Sequence, residues 1–279
     1  MTPLPYRDYT GLRVEVDDGV AFVTIDHPPI NLFDLALITD MDRLGRELAE
    51  DESVRVVVFS SADPEFFIAH ADVGLIEQLP TRVDETRTDL GLFHAMVERF
   101  RTLPQVTIAK IEGRTRGGGS ELILSFDIRF AAIGRAVLAQ PEVAIGIIPG
   151  GSGTQRLPRL VGRGRALEIV LGCEDFSAEL AERYGYVNRA LPPDEIGPFV
   201  ERLARRIASF PAHAIRLAKE AVAAAEPSPI PGLLVEDRCF TESLGEPETR
   251  RRMRAFLQSG GQTREGELDF SELLRAFSS

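Results

Sequence analysis

The stretch Gly113-Arg114-Thr115-Arg116-Gly117-Gly118-Gly119-Ser120-Glu121 reads as a strand end, a glycine turn and the opening of a helix. Glycines at a helix start leave their N–H groups unpaired, at the positive end of the helix dipole. Such a terminus holds a phosphate or a developing oxyanion. Glu121 lies one turn inside the same helix, placed to act as acid or base toward a ligand polarised by the amides. Taken alone, the triplet is more often a tight turn, and Glu121 a first-turn partner of the dipole. What surrounds the stretch gives it weight.

On its amino-terminal side, short β-branched runs alternate with helical patterns. Leu12–Val16 and Val20–Ile25, split by Asp17-Asp18-Gly19, read as a hairpin. Asp34 caps a helix to about Ala49, with Leu37, Met41, Leu44 and Leu48 on one face. Val54–Phe59 is a buried strand, roughly Glu85–Arg101 a helix, and Val106–Ile111 another strand. This alternation predicts an α/β unit with a largely parallel sheet over 1–195. Beyond it, 196–258 reads as helices separated by prolines, and 259–279 as a polar glycine linker with a short amphipathic helix. No repeat recurs at a fixed period.

Composition narrows the chemistry. The 279 residues carry 32 basic and 43 acidic side chains, a net charge of −11 that repels nucleic acid and acidic membranes. Lys110 and Lys219 are the only lysines and neither follows a glycine, so a P-loop is excluded. Cys173 and Cys239 make no disulfide framework or CxxC, and the four histidines show no metal-ligand spacing. No apolar run approaches the ~20 residues that cross a bilayer. The start, Met1 to Asp8, lacks a signal-peptide pattern, which predicts a cytoplasmic protein.

Two more segments concentrate unusual residues. One is Phe66-Phe67-Ile68-Ala69-His70-Ala71-Asp72; the other runs from Gln140-Pro141-Glu142 through Gly146-Ile147-Ile148-Pro149-Gly150 to Gly153-Thr154-Gln155-Arg156-Leu157. Together with Gly117–Glu121, in this order and spacing, they resemble the motifs of the crotonase, or enoyl-CoA hydratase/isomerase, superfamily. The resemblance extends from about Val14 to Arg254.

That resemblance implies a spiral of ββα units followed by C-terminal helices that build a homotrimer or a dimer of trimers. It implies an acyl-CoA substrate, coenzyme A entering as part of that substrate, and no metal or separate cofactor. It places an oxyanion hole on the backbone amides of Ala71 and Gly118, and catalysis on Glu121 and Glu142. Ala69, His70, Asp72, Gly117, Pro149 and Gly150 fall at substrate-binding positions. The implied reaction is reversible hydration of a trans-2-enoyl-CoA. The alternatives are double-bond isomerisation or another reaction on the same platform, and a non-catalytic acyl-CoA binder. Hydrolysis through Ser120 or Ser152 with His94 lacks a nucleophile context.

Three departures stand out. His70 occupies a position where the family usually has glycine, so a positive φ there would strain it. Arg114 and Arg116 replace small or apolar residues, and read either as ligands for an acyl carboxylate or CoA phosphate or as salt bridges. No lysine follows Lys219 to meet the CoA adenosine phosphate, leaving Arg250–Arg252 and Arg254 as candidates. In the terminal helix, Phe270, Leu273, Leu274 and Phe277 form a stripe expected to dock on a neighbouring subunit.

Overall fold

In the computed structural model, which describes residues 6–278, β1 (Leu12–Asp17) and β2 (Val20–Ile25) pair antiparallel. Asp18 and Gly19 join them, both at positive φ, as a two-residue hairpin turn requires. Helix α1 (Leu35–Glu50) follows, capped by the Asp34 carboxylate, which accepts the Leu37 N–H at 2.9 Å. The stretch from Met1 to Pro5 lies outside the described residues.

From here the chain repeats one move: a strand in a large sheet, a short strand in a second sheet, then helix. β3 (Val56–Ser61) leads to β4 (Phe66–Ile68), α2 (Val73–Ile76) and α3 (Leu92–Thr102). β5 (Val106–Ile111), β6 (Arg114–Arg116) and α4 (Gly118–Leu124) form the next turn. β7 (Ile128–Ala132), β8 (Val137–Ala139) and α5 (Gly153–Val161) form a third, and α6 (Arg163–Gly172), β9 (Phe176–Ser177), α7 (Ala178–Tyr184) and β10 (Arg189–Leu191) close the spiral. The large sheet runs β1-β2-β3-β5-β7-β10 and the small one β4-β6-β8-β9. All neighbours are parallel except β1/β2 and β8/β9.

Burial on both faces of the large sheet explains its unbroken apolar runs. Along β3, Val57 and Phe59 join the cluster containing Leu44 of α1 and Phe100 of α3. Val56 and Val58 point the other way, onto Val200 and Ala204 of α8 (Ile196–Ala208). The small sheet matters for a different reason. β4, β6 and β8 run parallel, so their carboxyl ends share one edge, and each candidate motif passes through or starts at that edge.

The helical part continues through α9 (Ala212–Ala223), α10 (Ile230–Leu244), α11 (Pro247–Gln258), α12 (Arg264–Leu268) and α13 (Phe270–Ser278). Two expectations need correction. The helix expected over 85–101 begins only at Leu92. Upstream, the Asp84 carboxylate accepts the Thr86 N–H at 2.9 Å, a local turn that competes with helix, and no apolar stripe opposes it.

The terminal stripe is the second correction: it packs on its own chain. Gly260, at φ +100°, and Gly261 reverse the chain, and a Cβ on Gly261 would lie 2.4 Å from the Phe256 ring. Phe270 and Leu273 are then buried with Met253 and Phe256 of α11 and with Val73, Ile145 and Ile147 of the core. Each contributes ~1.5–3 kcal/mol, so cis docking satisfies the stripe. The side chain of Phe277 lies outside the described residues.

Candidate active site

The three strand ends deliver three kinds of group. After β4, Ala71 forms an isolated parallel bridge with Phe33: the Phe33 N–H donates to His70 O at 2.9 Å and the Asp72 N–H to Phe33 O at 3.1 Å. A parallel bridge of this register turns the N–H of Ala71 away from Phe33. After β6, the Gly117 N–H is taken by Ala139 O at 3.1 Å, and Gly118 opens α4, where no intrahelical acceptor exists for its N–H. Neither the Ala71 nor the Gly118 N–H has an acceptor among the described residues.

The two amides belong to touching backbones. A Cβ on Gly118 would stand 3.3 Å from Ala71 Cβ and 3.5 Å from Ala71 N. Gly117 has φ +47°, and a Cβ there would meet Glu142 Oε1 at 2.9 Å. Glycine is required at 117 on both counts.

After β8 comes Glu142, first residue of a 3₁₀ turn over Glu142–Ile145. Gln140, in the amide orientation its neighbours demand, donates to both Glu142 carboxylate oxygens at 3.1 Å and accepts from Ser120 Oγ at 3.0 Å. Glu121, from α4, accepts the N–H groups of Gly151 at 2.7 Å and Gly153 at 2.8 Å. The intervening amides serve another acid. Glu236 of α10 accepts Ser152 N–H at 2.6 Å, Thr154 N–H at 2.9 Å and His94 Nε2 at 2.9 Å. Ser152 stands at φ +111°, which lets successive N–H groups face opposite sides.

Both glutamates that the sequence singles out are buried, at 4% and 8% exposure. Burial pushes the Glu121 carboxyl up to about 7; the charge of Glu236 adds to this, while the Gly153 and Gly151 amides and His94 oppose it. Burial, then the charge of Glu121, holds Glu142 well above the usual carboxylate range. Both carboxyls are thus pressed toward their protonated forms; two backbone N–H groups support the Glu121 anion, and the Gln140 amide supports that of Glu142.

Glu121 and Glu142 line one cavity of about 740 Å³ together with His70, Ala71, Asp72, Gly117, Gly118 and Gly150. Its far wall is apolar, built by Ile145, Ile147, Phe240, Leu244, Phe256 and Phe270. At the rim Arg87 pairs with Asp237 at 3.1 Å, and Arg82 is exposed.

Other sequence candidates fall elsewhere. Ala69 is fully buried against Ile30 and Phe66, outside the cavity wall. Pro149 is buried too, facing Gly153 rather than the cavity. Arg114 pairs with Glu65 at 2.7 Å, away from the site. Arg116 has no exposure and binds both oxygens of Asp175 at 2.7 Å. Arg251 and Arg252 pair with Glu248 at 2.6 and 2.9 Å on a helix face. His94 bonds a carboxylate rather than a serine, and Ser120 bonds the Tyr186 hydroxyl.

His70 is not among the residues at positive φ, so its side chain carries no left-handed strain. Its Nδ1 faces Ala71 O at 2.7 Å and its Nε2 faces Glu267 Oε1 at 2.9 Å. The carbonyl only accepts, and although burial lowers the His70 value the Glu267 carboxylate raises it, which favours the imidazolium form. Motif reading misses Glu236 and Glu267 as site residues; Gln140 stands in one of the motifs and His94 enters only as a partner for serine, so their contacts to Glu142 and Glu236 are not foreseen.

Known proteins share this arrangement of chain. The family profile for enoyl-CoA hydratase/isomerase matches residues 15–263. The short-chain-enoyl-CoA hydratase of Clostridium acetobutylicum is 32% identical over 88% of this chain and 94% of its own length. The crotonyl-CoA hydratase of Syntrophomonas wolfei is 30% identical over 90% and 96%. A Streptomyces avermitilis crystal structure, provisionally described as an enoyl-CoA hydratase, superposes with a TM-score of 0.90 at 42% identity, covering 97% of this chain and 99% of that one. With the ββα spiral and the ordered motifs, these likenesses make the chain a member of the enoyl-CoA hydratase/isomerase family.

Proposed function

We propose that the protein adds water reversibly to a trans-2-enoyl-CoA, giving the 3-hydroxyacyl-CoA. One observation carries this reading: two buried carboxylates from different turns of the spiral, Glu121 and Glu142, line the same cavity as two backbone amides that have no acceptor among the described residues. The Ala71 and Gly118 N–H groups receive the thioester oxygen as it becomes enolate-like, each worth roughly 3 kcal/mol in such sites. Glu121, its anion supported by Gly151 and Gly153, takes a proton from the water that attacks C3. Glu142, pressed toward its neutral form, gives a proton to C2. The two residues exchange roles in dehydration. One proton passing from Glu121 to Glu142 through cavity water resets the site.

Isomerisation would gain support from Arg114, Arg116 or His70 if any of them acted on the thioester. The two arginines are engaged outside the cavity and both His70 nitrogens are occupied, which removes its particular support. Assembly into trimers is part of the same proposal. It is supported by α9, which has no buried residue and leaves Leu217 and Val222 exposed.

The deciding experiment follows enoyl-thioester absorbance with crotonyl-CoA and longer homologues. Hydration predicts loss of the signal. A gain with 3-enoyl-CoA substrates and no loss with 2-enoyl-CoA would make the protein an isomerase. Neither change, with a raised melting temperature in CoA esters, would make it a binder.

A further inference from the structure

Residues 262–267 bond to both strand ends that carry the cavity amides. The Gln262 side chain accepts the Val73 N–H at 2.9 Å and donates to Asp72 Oδ1 at 2.9 Å. Glu267 accepts from His70 Nε2 at 2.9 Å and from the Gln262 N–H at 3.0 Å. The main-chain oxygen of Glu267 takes Arg116 Nη1 at 3.0 Å, and its Oε2 stands 3.6 Å from the same guanidinium nitrogen. His70, Asp72 and Val73 surround Ala71, and Arg116 directly precedes Gly117-Gly118. Glu267 has no exposure and His70 only 6%. A buried carboxylate and a buried imidazolium are tolerable only as partners, and the two lie on opposite sides of the site's sequence. Glu267 is the acid that pairs with the His70 ring.

We propose that the C-terminal segment is a clamp that fixes the spacing of the Ala71 and Gly118 amides, with Glu267, His70 and Gln262 as positioning residues. The proposal rests on the oxyanion role given above to those amides. Donors of this kind act only when aimed at the position of the developing charge, and a shift near 1 Å is worth about 10²-fold in rate. A segment that holds one donor loop by the Glu267 carboxylate and the other by the Glu267 main-chain oxygen supplies that aim. A segment that merely completed the apolar wall through Phe270 would affect all acyl ligands alike.

Anionic and neutral ligands separate these roles. The full-length protein and its Glu267→Gln and Gln262→Ala variants are titrated with acetoacetyl-CoA, whose enolate is visible by absorbance, and with butyryl-CoA, which forms none. We expect Glu267→Gln to weaken enolate binding about tenfold or more while butyryl-CoA affinity stays within about threefold. In crotonyl-CoA turnover, kcat falls about 10–100-fold at nearly constant KM. His70→Gln combined with Glu267→Gln is no worse than the single change, because the two act as one unit. Gln262→Ala, on the half-buried turn, repeats the pattern more weakly and covers the case in which Glu267→Gln fails to fold. Parallel loss of both ligands, or loss of neither in a folded variant, overturns the clamp. A wild-type protein that binds the enolate but leaves crotonyl-CoA unchanged would overturn hydration while leaving the clamp standing.

Discussion

Glu121 and Glu236 divide four consecutive backbone amides between them: Gly151 and Gly153 donate to Glu121, Ser152 and Thr154 to Glu236. Two like charges held against one strip of chain repel, and that repulsion is one cause of the raised Glu121 value. The strip also fixes where each carboxylate points. Glu236 therefore influences the proposed base through charge and through the loop.

Glu236→Gln tests the charge. The groups acting on Glu121 are Glu236, Glu142 and His94, with Asp237 3.9 Å behind His94 and Arg156 bonded to Ser152. Removing the Glu236 charge lowers the Glu121 value from about 7, so the acidic limb of kcat/KM moves to lower pH. The plateau also falls, because an amide NH₂ cannot accept from the Ser152 or Thr154 N–H. A limb that stays in place would remove Glu236 from any electrostatic role.

Glu121→Gln and Glu142→Gln each preserve volume and remove a proposed proton-transfer group. Turnover is expected to fall by about 10²–10⁴ in each, with CoA-ester affinity retained. Calorimetric titration beside the hydration assay checks both halves. Near-normal rates in either variant would take its carboxylate out of the chemistry.

Gly117→Ala places a methyl group where Glu142 Oε1 already stands, at 2.9 Å, on a backbone at φ +47°. Strain of roughly 1–3 kcal/mol is expected in the melting curve. Glu142 must also shift, so kcat falls beyond what lost stability explains at assay temperature. Unchanged kcat in this variant would mean that the position of Glu142 is not critical.

What the sequence reveals here is mostly local physics. Asp34 caps its helix, Asp18-Gly19 turns its hairpin, and β3 reads as buried because both its faces are. Gly117-Gly118 and the two glutamates are legible because motif spacing places them on adjacent strand ends. What escapes is what distant segments supply. Glu236 sits in an ordinary amphipathic helix, and nothing in Leu233–Leu244 marks it as the acceptor for a loop near residue 152. His70 stands out as an exception, yet its meaning depends on Glu267, far along the chain. Glycines before α12 suggest a reach outward, whereas Phe256 closes on Gly261 and folds the tail inward.

The His70–Glu267 pair gives the last prediction, because both members titrate. Burial alone pulls the His70 value down, but the charge and hydrogen bond of Glu267 outweigh it and hold it above the ordinary 6.5, against opposition from Arg116. Burial pushes Glu267 up; His70, the Gln262 N–H and Arg116 outweigh that and hold it below the ordinary 4.5. Asp175, paired with Arg116, Asp72, bonded to Gln262, and Glu142, across Gly117 from His70, also face this cluster. For His70, raised in the folded state, the contribution is complete below 6.5 and disappears as pH rises through the folded value. For Glu267, lowered in the folded state, it is complete above 4.5 and disappears as pH falls through the folded value. The pair therefore stabilises the docked tail most between those limits. Melting temperatures of the wild type and of His70→Gln, measured from about pH 5 to 9, should differ most near the acidic end and converge as the wild-type imidazolium loses its proton. A difference that stays constant across that range would mean that His70 holds the tail by packing alone.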